Sequence, residues 1–213
     1  MILPFLKNLK KNNSREWFQD NKKSYEEAKQ SFTFITAKLI SEISKFDSTV
    51  KGIDPESAIF RIYKDVRFSK DKSPYKTNFG AYIAKGGKKS SFPGYYIHIE
   101  PNESMAAGGI YMPPPDVLLK LRNFIAENHK DAVKIMKSKK FSEVFPEMYN
   151  DRLKTVPKGF SKEHPAAELL KYKSFIFSSM IDDESVDSEK FAEDVLKKYK
   201  VIYEWNRFLQ KAV

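Results

Sequence analysis

The chain has 213 residues, 41% of them hydrophobic and 14% aromatic, and a formal net charge of +10. That is enough apolar side chain to build a core and to argue against disorder, even with 31% charged residues. Cysteine is absent, which excludes disulfides, thiolate nucleophiles and Cys-ligated metal centres and fits a reducing cytoplasm.

The first residues, Met-Ile-Leu-Pro-Phe-Leu-Lys, have a short apolar run but no basic segment before it, so they do not read as a signal peptide. No apolar run reaches the roughly 20 residues that span a bilayer, and the expectation is a soluble, cytoplasmic protein without membrane partners. Asn13, three residues before Glu16, has capping-box spacing, and the helix it opens runs through Trp17, Phe18, Tyr25 and Ala28. Phe32, Ile35, Leu39, Ile43 and Phe46 follow at alternating spacings of three and four, a second helix. Lys51-Gly52-Ile53-Asp54-Pro55 is a turn.

The period then changes to two. Ala58–Arg67 alternates as a strand, with Arg61, Tyr63, Asp65 and Arg67 on one side. The basic, aromatic stretch Arg61–Lys76 has Lys or Arg at 61, 64, 67, 70, 72 and 76 against Asp65 and Asp71, and adds Tyr63, Phe68 and Tyr75. Strands are expected at Phe79–Lys85, Gly94–Glu100 and Met105–Met112, the first pair joined by the turn at Gly86-Gly87. In the second of these Tyr96, His98 and Glu100 share a side. Gly108 and Gly109 weaken the third, marking either close approach by a ligand or a bulge.

Helices follow over Val117–His129 and Asp131–Lys137, then the Pro-punctuated stretch Phe145–Pro165 with Lys158 and His164. A helical turn at Ala166–Tyr172, a strand at Ser174–Ile181 and a last helix capped by Asp187 or Ser188 complete the chain. The order predicts an α+β fold: a mainly antiparallel sheet of about five strands, with an N-terminal helix pair and C-terminal helices packed around it. One domain over residues 1–213 is expected, with 114–172 as a candidate helical subdomain.

Arg61, Tyr63, Asp65, Arg67, Asp71, Lys72, Tyr75, Lys76, Gly108, Gly109 and Lys158 are the candidate ligand-binding residues. Arginine offers a planar fork for phosphate or carboxylate, and tyrosine adds hydroxyl donors and a stacking surface. Arg61 and Arg67 would take the anion, Lys72 and Lys76 close over it, Lys158 approach from the C-terminal half, Tyr75 stack and Asp65 orient the arginines. His98, Glu100 and His164 are candidate proton-transfer groups, with packing or capping as the alternative for each histidine. His98-Ile99-Glu100 resembles the zinc-deaminase His-x-Glu only superficially, because that chemistry needs cysteines. No Walker loop, dinucleotide glycine fingerprint, Gly-x-Ser-x-Gly elbow or His-Glu-x-x-His occurs, and no metal or cofactor is expected. Three readings remain open: an anion-binding protein for a nucleotide, sugar phosphate or nucleic acid; a structural or interaction domain whose Arg/Asp network only pins the 67–78 loop; and an enzyme on an anionic substrate.

The block Asp65-x-Arg67-Phe68-Ser69-x-Asp71-Lys72-x-Pro74-Tyr75-Lys76 resembles the domain-of-unknown-function 2461 family. So do Asn12-Asn13 with Arg15-Glu16-Trp17-Phe18, Arg61-Ile62-Tyr63, Tyr96-x-His98-Ile99, Gly108-Gly109-Ile110-Tyr111, Pro157-Lys158-Gly159-Phe160 and His164-Pro165 with Leu169-Leu170-Lys171. The resemblance covers essentially the whole chain. It implies a single full-length domain and no assigned mechanism.

Overall fold

Alternating apolar residues separated by short turns pair as a meander. The structure, a computed structural model, describes residues 1–67 and 70–213; Phe68 and Ser69 lie outside the described residues. The order is α1 (Ile2–Lys11), α2 (Arg15–Asp20), α3 (Lys22–Ile43), α4 (Pro55–Ala58), β1 (Phe79–Ile83), β2 (Gly94–Ile99), β3 (Met105–Ile110), α5 (Pro115–Glu127), α6 (His129–Lys137), α7 (Lys139–Val144), α8 (Ala167–Leu170), β4 (Phe175–Met180), α9 (Asp183–Asp187) and α10 (Phe191–Gln210). The strands lie in the order β1-β2-β3-β4, all neighbours antiparallel. No helix among the described residues is long and apolar enough to cross a membrane.

The α+β class and the antiparallel sheet agree with the sequence, but among the described residues the sheet has four strands rather than about five. The difference lies in the stretch read as a strand over Ala58–Arg67. Asp54 caps Ser57 N and Pro55 opens a helical turn, so Ala58 is helical. The chain beyond it meets the β1 side only at the isolated bridges Ile59↔Ala81 and Tyr63↔Tyr75. Between these bridges one side advances four residues and the other six, a mismatch that interrupts a regular ladder. A similar ribbon borders β4, where Met148↔Phe177 and Arg152↔Tyr172 are also isolated bridges.

The N-terminal helix pair is a trio. The short apolar run forms α1, whose Ile2, Leu3, Phe5, Leu6 and Leu9 are buried. The expected Asn13 cap is taken by Ser14, whose Oγ accepts from Trp17 N at 3.2 Å. The last helix starts at Phe191, with Asp182 capping a separate α9 before it.

One face of the sheet carries Phe79, Ala81, Ile83, Tyr95, Ile97, Ile99, Phe175 and Phe177, all buried, with α3 against β1 and α10 against β3. Burying each such large side chain contributes roughly 1.5–3 kcal/mol. Gly108 lies directly under α10: a Cβ there would come within 2.6 Å of Ile202 Cγ1. Trp205 Nε1 donates to the Phe175 carbonyl and Asn206 Nδ2 to that of Gly94, tying α10 to the strands. With these helices on that face, the alternate residues Tyr82, Tyr96, His98, Met105 and Ser178 fall on the opposite, half-buried face.

Candidate functional site

On that opposite face, β2 places Tyr96, His98 and the following Glu100 in line, since every second residue of a strand shares a side. The Tyr96 hydroxyl lies 2.9 Å from His98 Nδ1, and Asn78 Nδ2 lies 3.3 Å from the same nitrogen. An asparagine NH2 can only donate, so Nδ1 is the acceptor and the Tyr96 hydroxyl also donates to it. The ring proton then sits on Nε2 and is donated to Glu100 Oε2 at 3.0 Å, while Thr77 Oγ1 donates to Glu100 Oε1 at 2.6 Å. The His98 and Glu100 side chains are 14% and 15% exposed. Burial, and then the Glu100 charge, push the Tyr96 phenol up to about 12, so it is protonated at neutral pH.

Cations stand beside this chain of hydrogen bonds. The Phe60 ring meets the Tyr96 ring edge-on at 6.3 Å, and Lys76 Nζ lies 5.8 Å from the centroid of Phe60. Burial, and then Arg61, push the Lys76 ammonium down. Among the described residues neither Lys76 nor Arg61 has a carboxylate at ion-pair distance, although the chain has ten ion pairs elsewhere among them. Lys76, Thr77 and Asn78 are consecutive, so one short segment carries the cation and the supports of Glu100 and His98. Two clefts lie elsewhere, about 300 Å³ by Phe5, Trp17 and Asn21 and about 670 Å³ by Met180, Phe191 and Lys198. Neither includes Arg61, Lys76 or His98.

The basic loop is largely paired with itself. Arg67 Nε and Nη2 donate to Asp65 at 3.0 and 2.8 Å, a bidentate pair. That hydrogen bonding holds the Asp65 carboxyl down to about 2, with Arg61 a smaller electrostatic contributor. Lys64 pairs with Asp71, which also accepts from Ser73 N at 2.8 Å, and Lys72 Nζ donates to the Val66 carbonyl at 3.0 Å. Tyr75 is only 4% exposed and stacks on Phe18 at 3.9 Å. Its backbone is held at both ends by the Asn13 amide, Nδ2 donating to the Tyr75 carbonyl and Tyr75 N donating to Oδ1.

The structure therefore brings Tyr96, His98 and Glu100 together, with Lys76 at their border through Phe60, while Asp65, Arg67, Asp71 and Lys72 form a separate exposed group and Arg61 acts electrostatically on both Lys76 and Asp65. The expected single face holding Arg61, Tyr63, Asp65, Arg67, Tyr96, His98 and Glu100 does not form, because the stretch pairs only at isolated bridges and bends at Ile62. Phe68, expected to add to the aromatic loop, is outside the described residues. Both glycines have packing reasons: Gly108 sits under Ile202, and Gly109, at φ +123°, would drive a Cβ into the Phe175 carbonyl. Lys158 is exposed in the turn closed by Phe160 N on the Pro157 carbonyl, and no described contact joins it to His98. His164 Nδ1 accepts from Ala166 N at 3.1 Å, and its ring packs edge-on against His129.

Sequence reasoning passed over Phe60, Thr77, Asn78 and Gly80. The usable signal was the polar triplet Lys76-Thr77-Asn78 immediately before an apolar strand. Gly80 faces His98 across the β1–β2 ladder, where any side chain would crowd Tyr96.

Fold and site define an α+β protein with a four-stranded meander that carries a Tyr-His-Glu hydrogen-bond chain on one face. The chain belongs to the family described as conserved hypothetical protein (DUF2461), which it matches over residues 1–208. The resemblance read from the Asp65–Lys76 block is thus borne out. No curated protein and no solved structure matches the chain.

Proposed function

We propose that this protein binds a phosphate- or carboxylate-bearing small molecule at Arg61 and Lys76 and moves a proton on it through Tyr96 and His98. The observation that carries this reading is the Phe60 ring, which touches both the Lys76 ammonium and the Tyr96 ring. It sets the Lys76 ammonium, with the Arg61 charge acting on it, beside a hydrogen-bonded acid–base pair. A proton taken up at Tyr96 Oη can pass the phenol's own proton to His98 Nδ1, where the imidazolium faces the Glu100 carboxylate. Burial strengthens such an arrangement, because solvent screens it less. The absence of cysteine from the sequence, and of an apolar spanning helix among the described residues, supports a place in the cytoplasm.

A second reading is favoured by the bidentate Asp65–Arg67 pair: the loop beyond Tyr63 is an ion-paired support and contacts no ligand. The two readings divide the basic stretch between them, binding at Arg61 and Lys76 and support from Asp65 to Asp71.

The test is thermal unfolding with phosphate, sugar phosphates, carboxylates and a short oligonucleotide at two salt concentrations. A ligand bound only by the folded state, at a hundredfold excess over its Kd, stabilises by about 2.7 kcal/mol. Lys76→Met and Arg61→Met should each reduce the shift given by phosphate-bearing ligands. Equal shifts in wild type and both variants would refute the site. Tyr96→Phe should retain most of the binding and lose any turnover of the ligand.

A further inference from the structure

We infer that the cleft between α7, the end of β4 and α10 binds a small amphiphile, an aliphatic chain with an anionic head such as a medium-chain carboxylate. The cleft is lined by none of Lys76, Tyr96 or His98, and the inference stands independently of the function proposed for them. Its volume of about 670 Å³ lies in the range of small-molecule sites. Helical spacing builds two of the walls. Lys140, Glu143 and Val144 share a face of α7, and Asp194, Val195, Lys198 and Val201 share a face of α10. Met180 and Ile181, where β4 ends, supply a third. Met180 is 61% exposed and Val144 half-buried, while Phe191, Val195 and Val201 are buried. An alkyl chain laid here takes the thioether and the valine out of water, against walls that core residues hold in place.

The charges around the cleft set the sign of the head group. Its carboxylates are already engaged: Asp194 pairs with Lys197 at 2.8 Å, Asp182 Oδ1 accepts from Ser185 N at 2.6 Å, and Glu143 stands 4.0 Å from Lys139. Its lysines are not matched in the same way. Lys198 Nζ donates to the neutral Ser179 hydroxyl at 2.8 Å. Among the described residues Lys140, Lys198 and Lys200 have no carboxylate at ion-pair distance. Lys140 stands on α7 and the other two on α10, and these helices pack together. A carboxylate between them meets ammonium charge, and the lysine stems extend the apolar lining for the chain. A cationic head would be repelled by the same groups.

Titration of the whole chain with butanoate, hexanoate, octanoate and octylammonium, all below micelle formation, tests this by NMR of labelled methionine methyl groups. Octanoate should shift the Met180 methyl saturably and leave the His98 imidazole signals in place. Affinity should rise about two- to fourfold per added methylene. Octylammonium should bind more weakly than octanoate. The double substitution Lys140→Gln and Lys198→Gln, on the outer side of two helices, should weaken octanoate about two- to tenfold, and Lys140→Arg with Lys198→Arg should restore it. Equal binding of octanoate and octylammonium overturns the anionic head, and affinity indifferent to chain length overturns the aliphatic body. Shifts that move His98 in place of Met180, or that survive the double Gln variant unchanged, overturn the cleft as the site. A wild-type dimer that Met180→Lys dissociates in sedimentation makes a second copy the occupant and overturns the free ligand. Binding only to phosphatidylglycerol vesicles, or no binding at all, overturns it too.

Discussion

The hydroxyl of Tyr96 stands 2.7 Å from the point where a β-carbon on Gly80 would lie. The glycine on β1 thus gives the phenol the room in which it reaches His98. Gly80→Ala should cost about 1–3 kcal/mol through this overlap and break the Tyr96–His98 hydrogen bond. In a Tyr96→Phe background, where the hydroxyl is gone, the same substitution should cost clearly less. Denaturant unfolding of the four proteins in the cycle gives the coupling; an additive cycle would show that the overlap is relieved elsewhere.

The hydrogen-bond donors around His98 assign its neutral tautomer. Nitrogen NMR of the imidazole should show Nδ1 as the bare, accepting nitrogen and Nε2 as the protonated one. Glu100→Gln, which replaces the carboxylate acceptor by a neutral amide, should weaken the preference for Nε2–H. A ring protonated at Nδ1 in the wild type would reverse the direction of the whole chain.

Asp65 gives a pH dependence of definite sign. Its carboxyl is lowered from 3.8 to about 2, chiefly by the Arg67 hydrogen bonds. A carboxyl lowered on folding contributes stability that is present above the unfolded value and lost as pH falls from about 4 toward 2. The pair is solvent-exposed, so the loss should be local: carboxyl NMR would show a midpoint near 2 for Asp65 with the core still folded. Arg67→Gln should return the midpoint toward the ordinary value.

Gly108→Ala should be a core defect rather than a site defect, because the new methyl would strike Ile202. The expected cost is about 1–3 kcal/mol, which for a chain of this size lowers Tm by roughly 2–4 °C per kcal/mol. Combining it with Ile202→Ala should destabilise less than the two changes summed. Ligand affinity should hold at temperatures where the variant is folded.

The meander was legible because short turns join its three N-terminal strands and β2 alternates cleanly. Tyr96, His98 and Glu100 sharing a side followed from period two alone. What could not be read was register. The same alternation that made Ala58–Arg67 look like a strand continues through a two-residue mismatch that only the pairing partner reveals. Tyr75 shows the same limit: a tyrosine in a basic loop looks available, yet Phe18 and the Asn13 amide, both far away in sequence, bury it and hold its backbone. Which group a cation meets depends on side-chain distances, so Lys72, bonded to the Val66 carbonyl, and Lys76, over the Phe60 ring, looked alike in the sequence and stand apart in the fold.

The two ribbons bordering the sheet bear on how this chain behaves in a crowd of its own copies. A regular outer strand offers a row of unpaired backbone groups on which another chain can grow. Here both borders are short stretches with isolated bridges, carrying charged residues such as Lys64 and Asp65 on one side and Asp151 and Arg152 on the other. Templated stacking of one sheet onto the next is therefore discouraged at both ends, and concentrated samples should resist fibril growth until the ribbons themselves detach.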